Sequence, residues 1–475
     1  MSGTLVGWPS LAALSRQVSE RRISPTELID LSYSRIHALN PHFRAFVSTC
    51  EDTARTQARE AERLVLRGEA RPLEGIPLAV KDNTAVAGLA LTNGSRSSSI
   101  APVEFDAEVV VRLRAAGAIV VGKTSLPEFG AVPVTESALA GVCLNPWDAG
   151  RTCGGSSGGS AVAVATGMVP FAQGNDGGGS LRIPASCCGV VGLKPARGRI
   201  SVGPNPDGSG MVSTGFITTR TADQAFLLDL TTGYARGDQC PAPAPRLPFS
   251  AHLAVRPRPL RIAWTSRPPV DAAVAAECAG AVEMAAGMLA DLGHEVVQID
   301  PGWTRDWLAR EFRRTWVAGI LATVLTLPPD RRGPEFLERH IRAMQELGQR
   351  SSGGRLLLSQ SRLQAYARET TALWQRWDVV MTPTLAAPAL AVGELFSTVE
   401  EDPYLPLDRA DAFSPYTPLF NINGQPAVSL PLGWQDGFPI GVQLAAPPYR
   451  EDLLLQLSLQ LEQKTNWPAR RPPAL

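Results

Sequence analysis

The stretch from Arg151 to Arg199, RTCGGSSGGSAVAVATGMVPFAQGNDGGGSLRIPASCCGVVGLKPARGR, constrains this chain more than any other, because two glycine-serine clusters sit inside apolar runs. The first cluster is Gly154-Gly155-Ser156-Ser157-Gly158-Gly159 and the second is Gly177-Gly178-Gly179-Ser180. Glycines around a serine allow backbone angles that other residues avoid and let another group approach the main chain closely. An isolated run of this kind reads as a flexible linker, polar throughout. Here AVAVATGMVPFAQ between the clusters and CCGVVGL after them can both bury, which predicts a short helical run of small residues joining two turns held at a core. Pro184 is expected to end regular structure soon after the second turn.

A serine presented between glycines is a candidate nucleophile and needs a base, most often histidine. The five histidines, His37, His42, His252, His294 and His340, all lie outside motif-like settings and read as structural. Lysine is the other candidate. The run Gly75-Ile76-Pro77-Leu78-Ala79-Val80-Lys81-Asp82-Asn83 places Lys81 at the end of an apolar, strand-like segment. Burial there would disfavour its charge and leave a neutral amine able to accept a proton.

Taken together, GIPLAVKDN, GGSSGGSA and GGGSLRIPASCCGVVGLKP resemble the three landmarks of the amidase signature family. The resemblance extends to NPW at 145–147, MTPT at 381–384, and PLFNINGQPAVSLPLG followed by GFPIGVQL, so nearly the full chain is covered. It implies an α/β fold: one amidase domain over 1–475, an α/β/α sandwich around a mixed central sheet, with the signature core at 71–199. It also implies a Ser-cisSer-Lys triad. Carried over residue by residue, Lys81 is the base, Ser156 the bridge held in a cis peptide, and Ser180 the nucleophile, spaced 75 and 24 residues apart. Ser157 is the near alternative for the bridge.

On this reading a carbon-nitrogen bond of a non-peptide amide is hydrolysed through an acyl-enzyme on Ser180. The N–H groups of Gly177, Gly178, Gly179 and Ser180 would surround the oxyanion, and Asp176 and Arg182 would brace the turn. Asn83 and Arg151 have no assigned role. No metal or organic cofactor is implied. The chain departs from the family pattern at Cys153, where proline is common, at Asn175 and Gly177, which replace the threonines of GTDTGGS, and at Cys187, often aromatic. The family includes amidases, carbamate (urethane) and ester cleavers, and the glutamine-using subunit of a tRNA amidotransferase. The NDGGGS variant resembles free-standing hydrolases of cyclic aminohexanoate oligomers and related amides or urethanes. Ile183 occupies the place that is typically glutamine in the amidotransferase branch, so a substrate pocket beside it is expected to prefer apolar acyl groups.

The 475 residues are 44% hydrophobic and 19% charged with no net charge, enough apolar material for a sizeable core and no electrostatic footprint for nucleic acid or an anionic membrane. Seven cysteines, an odd number without metal-type spacing, point to a reducing compartment, the cytoplasm. The N-terminal residues show no charged leader, and no run of eighteen apolar residues occurs, so neither export nor a membrane span is expected. The expected partner is a small-molecule amide or carbamate; a homodimer stays open.

In chain order, Ser24-Pro25-Thr26-Glu27 reads as a capping box opening a helix to about Asn40, and Glu51 to about Gly68 as a second helix before the Lys81 strand. Gly117 to Thr124 matches the phosphate-loop pattern GxxxxGK[ST], but the residues between the glycines form an apolar strand, so Lys123 is expected to cap a strand at the surface. LRIAWT, an alanine-rich helix over about 271–292 and HEVVQID predict a parallel strand-helix-strand unit. Residues 300–377 form a helical excursion that could line the substrate pocket. Its aromatics Trp303, Trp307, Phe312, Trp316 and Phe336 are read in the first place as a core-facing stripe.

Overall fold

Along the strand Pro77–Lys81, Leu78 and Val80 enter one apolar core and Ala79 the other, as a period-two strand covered on both faces requires. The same division organises the whole molecule. The computed structural model describes residues 7–204 and 208–473; residues 1–6, part of the stretch read for a leader, lie outside them. The large sheet has eleven strands: β1 (Phe46–Thr49), β2 (Pro77–Lys81), β3 (Ile119–Thr124), β4 (Phe171–Asp176), β5 (Val191–Lys194), β6 (Ser213–Thr218), β7 (Arg261–Trp264), β8 (Glu295–Gln298), β9 (Val379–Pro383), β10 (Ala427–Gln435) and β11 (Phe438–Ala445). Their spatial order is β1-β3-β2-β4-β6-β5-β10-β11-β9-β7-β8.

Pairing is mixed. β2 runs parallel to β3 and β4, β7 parallel to β8 and β9, and the pairs from β4 through β6, β5, β10 and β11 to β9 are antiparallel. One core packs the Leu11–Ser19, Glu108–Ala115, Thr221–Thr231, Ala276–Asp291 and Glu451–Thr465 helices on the sheet; the other packs Pro25–Phe43, Glu51–Arg67, Gly158–Ala165 and Arg182–Cys188. This is the α/β sandwich expected from the sequence. The 261–298 unit is strand, helix and parallel strand as read.

The Ser24 capping box forms: Ser24 Oγ accepts from Glu27 N–H at 3.1 Å, and Glu27 accepts from Ser24 N–H at 2.8 Å. Three expectations need correction. A third helix, Leu11–Ser19, and the edge strand β1 also precede Lys81. Pro184 does not end regular structure; it lies in the first turn of Arg182–Cys188, where a helix has no use for an N–H. Lys123 is fully buried rather than at the surface. Because β1 pairs outside β3, Lys123 lies in an interior strand, where it meets Asp82 at 3.2 Å and donates to the Ala90 carbonyl at 3.2 Å. Among the described residues no helix is long and apolar enough to cross a membrane.

Candidate active site

Three separate segments bring the candidate residues together. β2 ends on Lys81, which shares the face of Ala79; the turn before the Gly158–Ala165 helix carries Ser156; the turn between β4 and the Arg182–Cys188 helix carries Ser180. Lys81 Nζ lies 2.8 Å from Ser156 Oγ, and Ser156 Oγ lies 3.0 Å from Ser180 Oγ. The Gly155–Ser156 peptide is cis. Ser157 stands outside this line: its Oγ donates to the Asn175 carbonyl at 3.2 Å and its N–H to the Ser180 carbonyl at 3.1 Å.

Lys81 has no exposed surface. Burial pulls its amine down to about 7, against the opposing charge of Asp176, so much of it is neutral near neutral pH. Asn175 Oδ1 accepts from Lys81 Nζ at 2.8 Å, and Asn175 Nδ2 donates to Asn83 Oδ1 at 2.8 Å.

The second turn is held from beneath by a buried ion pair. Asp176 accepts from the N–H groups of Gly179 at 2.7 Å and Leu181 at 3.1 Å, and from Arg182 at 2.9 and 2.8 Å. Arg182 also donates to the Thr417 carbonyl at 2.9 Å, Gln443 at 2.7 Å and Asn421 at 2.7 Å, and Thr417 Oγ1 donates to the Gly178 carbonyl at 2.6 Å. Burial alone would push the Asp176 carboxyl up, but Arg182 beside it holds it down at about 2. Asp176 and Arg182 thus hold the turn from beneath. Gly179 is a correction. Its N–H is taken by Asp176 and is not available to an oxyanion; its φ of +130° suits glycine, and a Cβ there would lie 2.3 Å from Thr417 Oγ1. The N–H groups of Gly177, Gly178 and Ser180 meet no acceptor among the described residues.

Ser180 opens on a cavity walled by Val132, Ile183, Phe312, Trp316 and Leu407, with the Arg313–Asp411 ion pair on its lining. Phe312 and Trp316 stack at 5.9 Å and 18°. A Cβ on Gly177 would lie 2.9 Å from the Trp316 ring and one on Gly178 3.2 Å from Phe312, so the Leu308–Thr326 helix approaches the turn because glycines stand there. The aromatic stripe packs on cores as expected, Trp303 in one and Trp307 and Phe312 against it, with Trp316 against another; Phe312 and Trp316 also line the cavity. No histidine joins the site. His294 accepts from Leu260 N–H and meets Gln460, and burial pushes His340 down to about 3.

Residues 27–455 match the amidase family. The chain belongs to the amidase signature family. It is an amidohydrolase. The 6-aminohexanoate-cyclic-dimer hydrolase of Paenarthrobacter ureafaciens is 36% identical to it, over 98% of this chain and 97% of the relative. The solved structure of 6-aminohexanoate cyclic dimer hydrolase complexed with substrate has a TM-score of 0.89 at 34% identity, covering 98% of this chain and 99% of that one. A bacterial aryl acylamidase of the amidase signature family shares the fold, with a TM-score of 0.88 at 24% identity over 99% of this chain and 100% of that one.

In this amidase the structure adds Asn83, Asn175, Thr417, Asn421 and Gln443 to the residues picked out from the sequence. Asn175 was visible only as a departure from GTDTGGS, Asn83 as an unassigned end of GIPLAVKDN, and Asn421 as part of PLFNINGQP; none carried a sign of its partner. Arg151 lies apart from the Lys81–Ser156–Ser180 line, donating to the Ala389 carbonyl at 2.8 Å and pairing with Asp148.

Proposed function

We propose that the whole chain acts as one amidase domain that cleaves amides through an acyl-enzyme, with Ser180 as nucleophile, Ser156 as bridge and Lys81 as base. The observation that carries this reading is the unbroken line of contacts, 3.0 and 2.8 Å, from a serine on a cavity to a fully buried amine. Neutral Lys81 takes a proton from Ser156 as Ser156 takes one from Ser180, whose Oγ attacks the substrate carbonyl carbon. The resulting oxyanion is received by the N–H groups of Gly177, Gly178 and Ser180, each worth roughly 2.7–4 kcal/mol to such a transition state. The relay then runs backwards to protonate the departing amine. Water attacks the acyl-Ser180 ester by the same relay and releases the acid.

The aromatic and aliphatic walls of the cavity support an apolar or aromatic acyl group, where burial is favourable at about 25 cal/mol per Å². Ile183 cannot hydrogen-bond the polar end of glutamine, and leaving such a group unpaired costs about 1–3 kcal/mol. That disfavours the amidotransferase reading. The relative's name supports linear or cyclic amides of aminohexanoate type, and carbamates and esters offer the same kind of carbonyl carbon. Seven free cysteines fit a reducing compartment, the cytoplasm.

The test joins labelling with kinetics. A fluorophosphonate is expected on Ser180 by peptide mapping, and Lys81→Ala is expected to lower turnover by about 10²- to 10⁴-fold. Across a hydrophobic anilide, cyclic aminohexanoate dimer, an aryl carbamate, an ester and glutamine, kcat/KM is expected to be lowest for glutamine and to shift towards it in Ile183→Gln. Label on another serine, or a wild-type preference for glutamine, overturns the proposal.

A further inference from the structure

Lys81 Nζ has two side-chain oxygens beside it, Ser156 Oγ and Asn175 Oδ1, both at 2.8 Å. A neutral amine carries two N–H bonds and one lone pair, and only the lone pair can take a proton from Ser156. Asn175 Oδ1 is an amide carbonyl oxygen, which accepts and never donates. It therefore binds an N–H of Lys81 and leaves the lone pair for Ser156. The amide cannot turn to present Nδ2 to the lysine without losing its bond to Asn83, since Nδ2 donates to Asn83 Oδ1 at 2.8 Å. Asn83 Nδ2 adds a second, longer contact to Asn175 Oδ1 at 3.5 Å. A hydroxyl at position 175, such as the threonine of GTDTGGS, both donates and accepts, and its O–H could occupy the lone pair.

We infer that the Asn175–Asn83 amide pair is a positioning device that fixes the direction of proton transfer, from Ser156 to Lys81. This rests on the reading of Lys81 as the base. Among the described residues neither asparagine hydrogen-bonds Ser180, so both act through the lysine. The charged groups near the amine leave this role open to Asn175. Asp176 favours the protonated lysine, but its carboxylate is engaged by Arg182, and the neighbouring Asp82 is engaged by Lys123. Asn175 is then a neutral acceptor close to Nζ that orients the amine without adding a charge to hold its proton.

The experiment compares Asn175→Leu, Asn175→Asp, Asn83→Leu and Lys81→Ala with wild type, each first shown to be folded by circular dichroism and thermal unfolding. In Asn175→Leu, kcat is expected to fall about 10- to 100-fold with KM little changed, the cost usual for removing a partner that orients a reactive group. Fluorophosphonate labelling of Ser180, which needs the relay and no acyl pocket, is expected to slow by the same factor. Asn83→Leu, which frees the Asn175 amide to turn, is expected to give a smaller loss of the same kind, and the double variant to be no worse than Asn175→Leu alone. In Asn175→Asp a carboxylate replaces the carbonyl beside Nζ and favours the charged lysine. The acid limb of kcat/KM is expected to move up by about 1–3 pH units, with activity returning as pH rises. Wild-type kcat and labelling rate in a folded Asn175→Leu, or an unmoved limb in Asn175→Asp, overturns the inference. Should Asn175→Leu fail to fold, the near-isosteric Asn175→Asp decides alone. Wild-type activity in Lys81→Ala would instead overturn the base assignment, so the two failures are told apart.

Discussion

Replacing Arg182 by Met tests whether the turn that carries Ser180 is held by the buried ion pair beneath it. Arg182 is fully buried and makes five hydrogen bonds, two to Asp176 and one each to Thr417, Gln443 and Asn421. Methionine fills much of the same volume but leaves Asp176 charged and enclosed. Breaking a buried pair in this way costs about 3–5 kcal/mol, mostly as the penalty for the charge left behind. The pH dependence carries a second signature. In the wild type the carboxyl sits at about 2 against 3.8 for a free aspartate, which corresponds to about 2 kcal/mol of stability. That stability is present above pH 3.8 and is lost as pH falls through 2. Without Arg182 the upward push of burial is opposed only by the weaker pull of Lys194 and the hydrogen bond from Asn421, so the folded-state carboxyl is expected to rise and the variant's deficit to shrink as pH falls from 7 towards 5. Thermal unfolding at pH 5, 6, 7 and 8 measures this, with kcat on a hydrophobic anilide as the functional reading. Loosening the turn is expected to lower kcat more than it raises KM. The double variant Asp176→Asn with Arg182→Met is expected to be more stable than Arg182→Met alone, because no unpaired charge remains. A fully stable single variant, or a double variant whose losses simply add, would refute the reasoning.

With Lys81 brought down to about 7, kcat/KM for an uncharged amide is expected to rise about tenfold per pH unit below 7 and level off above it if, as proposed, the neutral amine is the base; a pH–rate series on wild type and Lys81→Ala checks that the limb belongs to this residue. Gly177→Ala would place a Cβ 2.9 Å from the Trp316 ring and is expected to cost about 1–3 kcal/mol and depress kcat/KM, with Trp316→Leu in the same chain restoring stability; thermal unfolding reads both. Lys123 lies in an interior strand against Asp82, so ATP and GTP are expected to give no melting shift, while Lys123→Met destabilises by about 3–5 kcal/mol by stranding that carboxylate. A nucleotide-dependent shift lost in Lys123→Met would return the phosphate-loop reading.

The sequence by itself determined the features whose causes lie within a few residues. The capping box at Ser24, the period-two run ending on Lys81, the two glycine turns and the helix of small residues after the first of them are matters of backbone conformation and local burial, and each formed where the pattern placed it, although strand β4 also runs between the turns. The family motifs carried Lys81, Ser156 and Ser180, and the fold brings these three within hydrogen-bond distance along one line. What the tertiary structure alone decided are pairings between distant segments. Asn175 reaches Lys81 across 94 positions and Asn421 reaches Arg182 across 239, and no local rule names such partners. Gly179 resembled its neighbours in the turn until Asp176 took its N–H. The aromatic stripe of 303–316 shows by its spacing that a face is apolar, but not that its later turns would also border a cavity, as Phe312 and Trp316 do while packing against cores. Lys123 was misplaced for a similar reason. A strand's own residues cannot tell whether another strand pairs outside it, and the pairing of β1 with β3 put that lysine in the interior, where Asp82 and the Ala90 carbonyl partner its charge.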